Sequence, residues 1–282
     1  MNGTNLTIGS NRRHWLDPVT ERLHRQSPRH GPVMLMYHAV LAQEQDPDWP
    51  WAVSRSNFER QLDFIQAEGY ATPTVSELMA DPEHFHGRTV VITFDDGYVD
   101  NVEAAAALHR RGMRATWYMV SGSIGELPGW PFDGRPTGRL MNAAELRSLQ
   151  NVGMEIGSHS VTHRRLTELD PQAQLQEAAR SKADLEDLLG MQLQSFAYPY
   201  GDFDDGYAAA VHSAGYRNAC TTAPGWMLRD SDPFRLRRLT VLNHDTLGTF
   251  ARKLVFASHD VGWPHMARYW ARRAVQRVTG RG

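Results

Sequence analysis

The chain has 282 residues, of which 41% are apolar and 22% charged, so it can bury a sizeable core. Its net charge of −2 gives no general attraction to nucleic acid or another acidic polymer. Cys220 is the only cysteine, which excludes an internal disulfide and a thiolate metal cluster. Residues 1–31 lack the apolar core of a signal peptide, and no stretch of sequence is apolar enough to span a bilayer. We therefore expect a cytoplasmic protein, unless export uses another route.

Short apolar runs alternate with helical patterns along the chain. Strands are predicted at 33–37, 89–94, 115–120, 154–158, 196–198 and about 219–221, with one more before residue 256. Helices are predicted to begin at the capping box 56–59, at Asp100 with Glu103, at Asn142 with Glu145, at Asp170-Pro171 and near Asp205, with a final helix ending at Phe256. Gly190 is expected to end the longest of them.

This alternation predicts a parallel sheet covered by helices. No G-x-G-x-x-G sequence follows a strand, which argues against a doubly wound nucleotide-binding sheet and favours a barrel. In a barrel, the residues just after the strands converge on one mouth, where barrel enzymes do their chemistry. The predicted organisation is a basic N-terminal extension (1–31), the barrel (32–258) and a basic amphipathic tail (259–282).

Side chains with metal-ligand chemistry follow two of these strands. Asp95 and Asp96 end one apolar run, and His159 and His163 follow another. Two imidazoles and one carboxylate are enough to bind a catalytic zinc-type ion and leave positions open for water. The aspartates could instead form an ordinary Asp-Asp-Gly turn, and the histidines could be surface or capping residues. Their shared placement at strand ends favours a metal-dependent hydrolase.

The two sites resemble the first two motifs of the polysaccharide deacetylases, the NodB-homology carbohydrate esterases related to chitin deacetylases. The resemblance rests on the sequences TFDDGY at 93–98 and HSVTH at 159–163, and it covers roughly residues 33–256. The sequence YPYG at 198–201 resembles the branch of bacterial exopolysaccharide and poly-N-acetylglucosamine deacetylases. The resemblance implies a deformed (β/α) barrel and a divalent ion held by one aspartate and two histidines.

The resemblance also implies a role for each matching residue. Asp95 matches the general base, while Asp96, His159 and His163 match the metal ligands. The backbone N–H of Tyr200 matches the group that stabilises the oxyanion together with the ion. Zinc is the expected metal, and cobalt, nickel, manganese and iron are alternatives.

Two features depart from the usual family pattern. Ala197 stands where many members have an arginine that supports the base, so what tunes Asp95 is left open. The late leucine-histidine motif is not obvious after residue 220. His38 instead ends the first strand, resembling a permuted arrangement, and is the expected general acid. His244 is the alternative, and either histidine could simply be structural.

Two further features leave their role open. Trp49, Trp51, Trp130 and Trp226 lie in Pro/Gly-rich loops, where they could stack on sugar rings or pack the loops against the barrel. The tail places Met266, Trp270 and Val278 among arginines. A helix docked on the barrel is expected there, with peripheral membrane association as the alternative.

The leading functional prediction is a metal-dependent hydrolase that removes N-acetyl groups from sugar polymers or their precursors. Its partner would be an N-acetylated glycan and not nucleic acid. One alternative keeps the metal and changes the amide, giving a deformylase acting on a lipid-linked amino sugar or a hydrolase of small cyclic amides. Another alternative is a catalytically inactive glycan-binding module.

Overall fold

The computed structural model describes residues 16–28, 30–42, 47–85, 87–130, 135, 138–264, 266–268 and 271. The strands are β1 (Val33–Tyr37), β2 (Ala39–Leu41), β3 (Ala52–Ser54), β4 (Val90–Phe94), β5 (Thr116–Met119), β6 (Glu155–Ser158), β7 (Ser195–Ala197), β8 (Asn218–Cys220) and β9 (Leu239–Thr240). The helices are α1 (Pro18–Gln26), α2 (Arg55–Ala67), α3 (Val75–Ala80), α4 (Val102–Arg110), α5 (Ala143–Asn151), α6 (Pro171–Leu189), α7 (Asp205–Ser213) and α8 (Leu247–Phe256).

Seven parallel strands form a curled sheet in the order β8-β7-β6-β5-β4-β1-β9. The connection before β9 borders both edges of this sheet. Leu236 pairs with Cys220 of the edge strand β8. Leu239, at the start of β9, pairs with Leu35 of β1 at the other side of the sheet. The predicted deformed (β/α) barrel is thereby confirmed. The strands β2 and β3 form a separate parallel pair.

The helix boundaries confirm some of the predicted capping and correct the rest. Asn142 and Glu145 form the expected capping box of α5, and Gly190 ends α6 with φ +66°. The predicted capping box at 56–59 is wrong, because β3 leads directly into α2 and Ser54 is the N-cap. Asp100 does not cap α4, since it lies in a 3₁₀ turn (Val99–Asn101) that precedes that helix.

Parts of both predicted terminal segments pack against the barrel helices. Within residues 1–31, α1 packs on α8. Leu23 of α1 forms a small buried cluster with Val255 and Met266, so the start of the 259–282 tail is docked there. Trp270, Val278 and most of the tail arginines lie outside the described residues. Among the helices that the structure describes, none is long and apolar enough to cross a membrane.

A buried glutamate ties together the first residues of three strands. Glu155 begins β6 and accepts hydrogen bonds from the hydroxyls of Thr116, at the start of β5, and Ser195, at the start of β7, both at 2.7 Å. It also accepts from the backbone N–H of Ser76 in α3, at 3.1 Å, and from the Ser76 hydroxyl. Groups at this end of a barrel serve stability.

Replacing Glu155 with alanine leaves these buried donors without an acceptor. We expect Glu155→Ala to lower the free energy of unfolding by about 2–3 kcal/mol, measured by urea denaturation. Glu168→Ala is the matched control, because Glu168 is exposed and should change stability by less than about 0.5 kcal/mol. Equal effects of the two substitutions would contradict a structural role for Glu155.

Candidate active site

The two aspartates follow β4 at a sharp turn of the backbone. Asp96 has φ +70° and Gly97 has φ +88°, and the Gly97 N–H donates to the Asp95 carbonyl at 2.8 Å. Aspartate tolerates the left-handed region better than most residues. At Gly97 a Cβ atom would lie 2.2 Å from Cε of Met119, so a larger residue there would also displace the end of that methionine side chain. The turn holds both carboxylates in the interior, with Asp95 2% and Asp96 4% exposed.

Asp96, His159 and His163 converge on one point. Nε2 of His163 lies 3.2 Å and Nε2 of His159 lies 3.6 Å from Oδ1 of Asp96, and one ligand atom from each residue lies within 4.8 Å of the others. Oδ1 of Asp96 is buried and accepts no hydrogen bond from the described residues. One carboxylate oxygen and two imidazole nitrogens facing each other fit a divalent ion with open positions.

The two histidines are oriented by their surroundings. Nδ1 of His159 lies 2.8 Å from the carbonyl oxygen of Ala197, to which it donates, so Nε2 is left to face Asp96. The segment between the histidines is a turn, which Glu177 of α6 holds. The Glu177 carboxylate accepts from the N–H groups of Val161 and Thr162, at 2.9 and 3.1 Å. The two histidines therefore face Asp96 from either end of a turn and not from one face of a helix.

Asp95 faces a different cation. Both of its carboxylate oxygens are bonded to the guanidinium of Arg238, at 2.6 and 2.8 Å, and the Arg238 side chain is fully buried. Burial alone would raise the pKa of Asp95, but the charges of Arg238 and His159 outweigh it and hold that pKa below its usual range. Asp95 is therefore ionised at neutral pH, with its Oδ2 atom 3.9 Å from Nε2 of His159.

Arg238 supplies the positive charge beside Asp95 that Ala197 cannot provide. It comes from the segment that borders both sheet edges, and its Nε donates to the Thr221 carbonyl at 2.9 Å, which fixes the guanidinium between β8 and β4. Ala197 is buried in the barrel interior and contributes its carbonyl to His159. Arg238 was not anticipated because no local pattern marks it. Only the closure of the sheet brings it within reach of Asp95, 143 residues away.

His38 lies at the end of β1 and lines the same cavity as the two aspartates. Its backbone is fixed by Asn101, whose side chain donates to the His38 carbonyl at 2.6 Å and accepts from the Val40 N–H at 2.9 Å. Burial lowers the pKa of His38, and the charges of Asp96 and Asp95 oppose that effect. The alternative candidate, His244, is exposed and does not line the cavity.

The cavity has a volume of about 380 Å³. Tyr200, a residue that is 39% exposed, lines it, with its ring edge-on to His163 at 4.7 Å between centroids. The Tyr200 backbone has φ +60°, in the left-handed region. Trp49, Trp51 and Trp130 also line this cavity, whereas Trp226 packs against His30 elsewhere. The structure thus brings together all six residues that the sequence singled out for chemistry, namely His38, Asp95, Asp96, His159, His163 and Tyr200.

The comparisons with known proteins agree with this site. The model of the polysaccharide deacetylase family matches residues 83–219, which include both aspartates and both histidines. YxkH of Bacillus subtilis (strain 168), provisionally named a polysaccharide deacetylase, is 28% identical over 229 residues, covering 80% of this chain and 76% of its own length. The chain is thus similar to the polysaccharide deacetylases, and these matches indicate a hydrolase of that kind.

Solved structures share the fold. The Streptococcus pyogenes deacetylase PplD, in complex with acetate, superposes with a TM-score of 0.70 at 22% identity, over 80% of this chain and 99% of its own. The structure of IcaB from Ammonifex degensii gives a TM-score of 0.67 at 24% identity, over 79% of this chain and 97% of its own. At these identities the likenesses show the shared fold.

If the triad binds a divalent ion, the ion should stabilise the folded protein. We expect zinc at about 100 times its dissociation constant to add about 2.7 kcal/mol, seen as a rise of several degrees in Tm by differential scanning fluorimetry. Asp96→Asn and His163→Ala should abolish most of this rise. His244→Ala, at an exposed histidine outside the cavity, is the control and should keep it. An undiminished rise in both triad variants would show that zinc binds elsewhere.

Proposed function

We propose that this protein removes N-acetyl groups from N-acetylated glycans or their precursors, by hydrolysis at a divalent-metal centre formed by Asp96, His159 and His163. The observation that carries the proposal is the division between the two adjacent carboxylates. Asp96 faces two imidazole nitrogens, while Asp95 beside it is paired with Arg238. The acetate complex of the Streptococcus pyogenes deacetylase, which has the same fold, contains the product that such a reaction would release.

The triad would hold the ion through Oδ1 of Asp96 and the Nε2 atoms of the histidines. A divalent ion there supplies Lewis acidity, which makes water nucleophilic at neutral pH and polarises an amide carbonyl. Zinc is the first candidate on the donor set, because imidazole and carboxylate ligands suit it, although they also suit other divalent metals.

Asp95 acts as the general base. Its carboxylate is ionised and its orientation is fixed by two bonds to Arg238, while each oxygen keeps a lone pair for a further proton. It accepts the proton of the attacking water as the new C–O bond forms. The resulting oxyanion is stabilised in part by the backbone N–H of Tyr200, at the cavity wall.

His38 acts as the general acid. An unprotonated sugar amine is a poor leaving group, so its nitrogen must gain a proton as the C–N bond breaks. The His38 imidazole donates that proton. Acetate and the free amine are the products. The negative charges of Asp95 and Asp96 favour the protonated imidazole and offset part of the effect of burial on the His38 pKa.

Two substitutions test the base and the acid. On an N-acetylglucosamine oligomer with added metal, we expect Asp95→Asn and His38→Asn each to lower kcat by about 10²–10⁴-fold, the usual contribution of a positioned proton-transfer group. Released acetate is the quantity to measure. His244→Ala should retain wild-type activity. Full activity of His38→Asn, with loss in His244→Ala, would move the acid role to His244.

Wild-type specificity tests the reaction itself. A panel of N-acetylated, N-formylated and cyclic amide substrates should show turnover of the acetylated glycan above the others. No turnover of any acetylated glycan with any of the candidate metals would overturn the proposed function.

Arg238 should set the pH dependence through Asp95. Because the guanidinium favours the ionised carboxylate, removing its charge raises the pKa of Asp95, so activity is lost at a higher pH as the solution is acidified. We expect Arg238→Gln to move the acidic limb of the kcat/KM profile up by about one pH unit or more, and Arg238→Lys to move it less.

The matched control for this shift is the neighbouring arginine. Arg237 pairs with Asp230 near the surface, so Arg237→Gln should leave the acidic limb in place. A reduced kcat in Arg238→Gln with an unmoved acidic limb would mean that Arg238 supports the fold without tuning the base.

A further inference from the structure

Three tryptophans line the active-site cavity, but they differ in how much surface they offer. Trp49 is 6% exposed and Trp130 is 7% exposed, whereas Trp51 is 38% exposed. A sugar ring that stacks on an aromatic side chain needs an accessible ring face. Among the cavity tryptophans, Trp51 is the one that offers it.

The two buried tryptophans already pack against protein groups. Trp130 stacks on His163 with 4.5 Å between ring centroids, and the Arg135 guanidinium lies over its ring at 5.5 Å. Trp49 packs edge-to-face against His38 at 5.8 Å and lies against Trp51 at 5.6 Å. Trp130 therefore shields a metal-ligand histidine, and Trp49 supports Trp51 from behind.

Strand pairing fixes Trp51 beside the proposed general acid. In the parallel pair formed by β2 and β3, Ala39 is the partner of Ala52. His38 and Trp51 are the residues immediately before these two, so the register sets them side by side. Their ring centroids are 6.4 Å apart. The position of the Trp51 ring relative to His38 is therefore fixed by strand pairing and not by a loop.

The chemistry of the proposed reaction determines which part of the substrate lies there. The general acid must reach the amide nitrogen, and in an acetamido sugar that nitrogen is attached directly to the sugar ring. The ring therefore lies on the His38 side of the scissile bond, and the acetyl methyl group points away from it. This side of the cavity is where Trp51 exposes its indole.

We propose that Trp51 is the binding platform for the pyranose ring that carries the scissile acetamide group, with the apolar C–H face of the sugar stacked on the indole. The assignment rests on the proposed function, because it uses the acid role of His38. Its ligand is a 2-acetamido sugar unit. Small acetyl compounds without a ring have nothing to stack there.

The test compares two substrates in three variants. Trp51→Ala should lower kcat/KM for an N-acetylglucosamine oligomer by about tenfold, mainly through KM, because stacking binds substrate and transition state alike. The loss for ethyl acetate, which has no ring, should be several-fold smaller. Trp51→Phe should recover most of the oligomer activity. Trp263→Ala, at a tryptophan that is 58% exposed outside the cavity, is the matched control and should match wild type on both substrates.

A binding measurement separates stacking from catalysis. In an Asp95→Asn background, adding Trp51→Ala should raise the dissociation constant of the oligomer by about tenfold in calorimetric titration. Equal losses on both substrates, or unchanged oligomer binding, would overturn the platform. If the wild-type protein turns over the ester but no acetylated glycan, the proposed function itself fails and the platform with it.

Discussion

Two neighbouring carboxylates are buried inside this barrel, and each faces different partners: the Arg238 guanidinium for Asp95 and two imidazoles for Asp96. Burial disfavours both charges, and two carboxylates side by side also repel each other. Arg238 bonds both oxygens of Asp95, and His163 and His159 approach Oδ1 of Asp96. The backbone at Asp96 is left-handed, and the two side chains have separate partners. The proposed roles of base and metal ligand depend on this separation.

The closure of the sheet provides that arrangement. The segment that carries Arg238 pairs with β8 on one side and continues into β9, which pairs with β1 on the other. An arginine placed there can bond the Thr221 carbonyl after β8 and the Asp95 carboxylate after β4. A buried guanidinium with these partners keeps its charge, and its bidentate geometry orients the carboxylate. The charge beside Asp95 that the resemblance led us to expect at the position of Ala197 is thus supplied by Arg238.

The sequence predicted the parts of the molecule that local patterns determine. Alternating apolar runs and helix caps predicted the barrel, and the strand-end positions of Asp95, Asp96, His159 and His163 predicted the cluster. Local patterns failed where tertiary contacts decide. The capping box at 56–59 was wrong because β3 runs straight into α2, so Ser54 takes the cap. Arg238 and Glu177 carry no motif, and only packing brings them to Asp95 and to the turn between the histidines. The four loop tryptophans were equivalent in sequence. The fold places Trp226 away from the cavity, and exposure distinguishes Trp51 from Trp49 and Trp130.

The most direct test of the division between the two aspartates is a crystal structure of the metal-loaded protein, with anomalous scattering collected at the absorption edge of the metal. We expect one strong anomalous peak at about 2.0–2.2 Å from Oδ1 of Asp96 and from Nε2 of His159 and His163, with Asp95 outside that shell and still paired with Arg238. A peak bound by Asp95 in place of Asp96, or one away from the histidines, would contradict it.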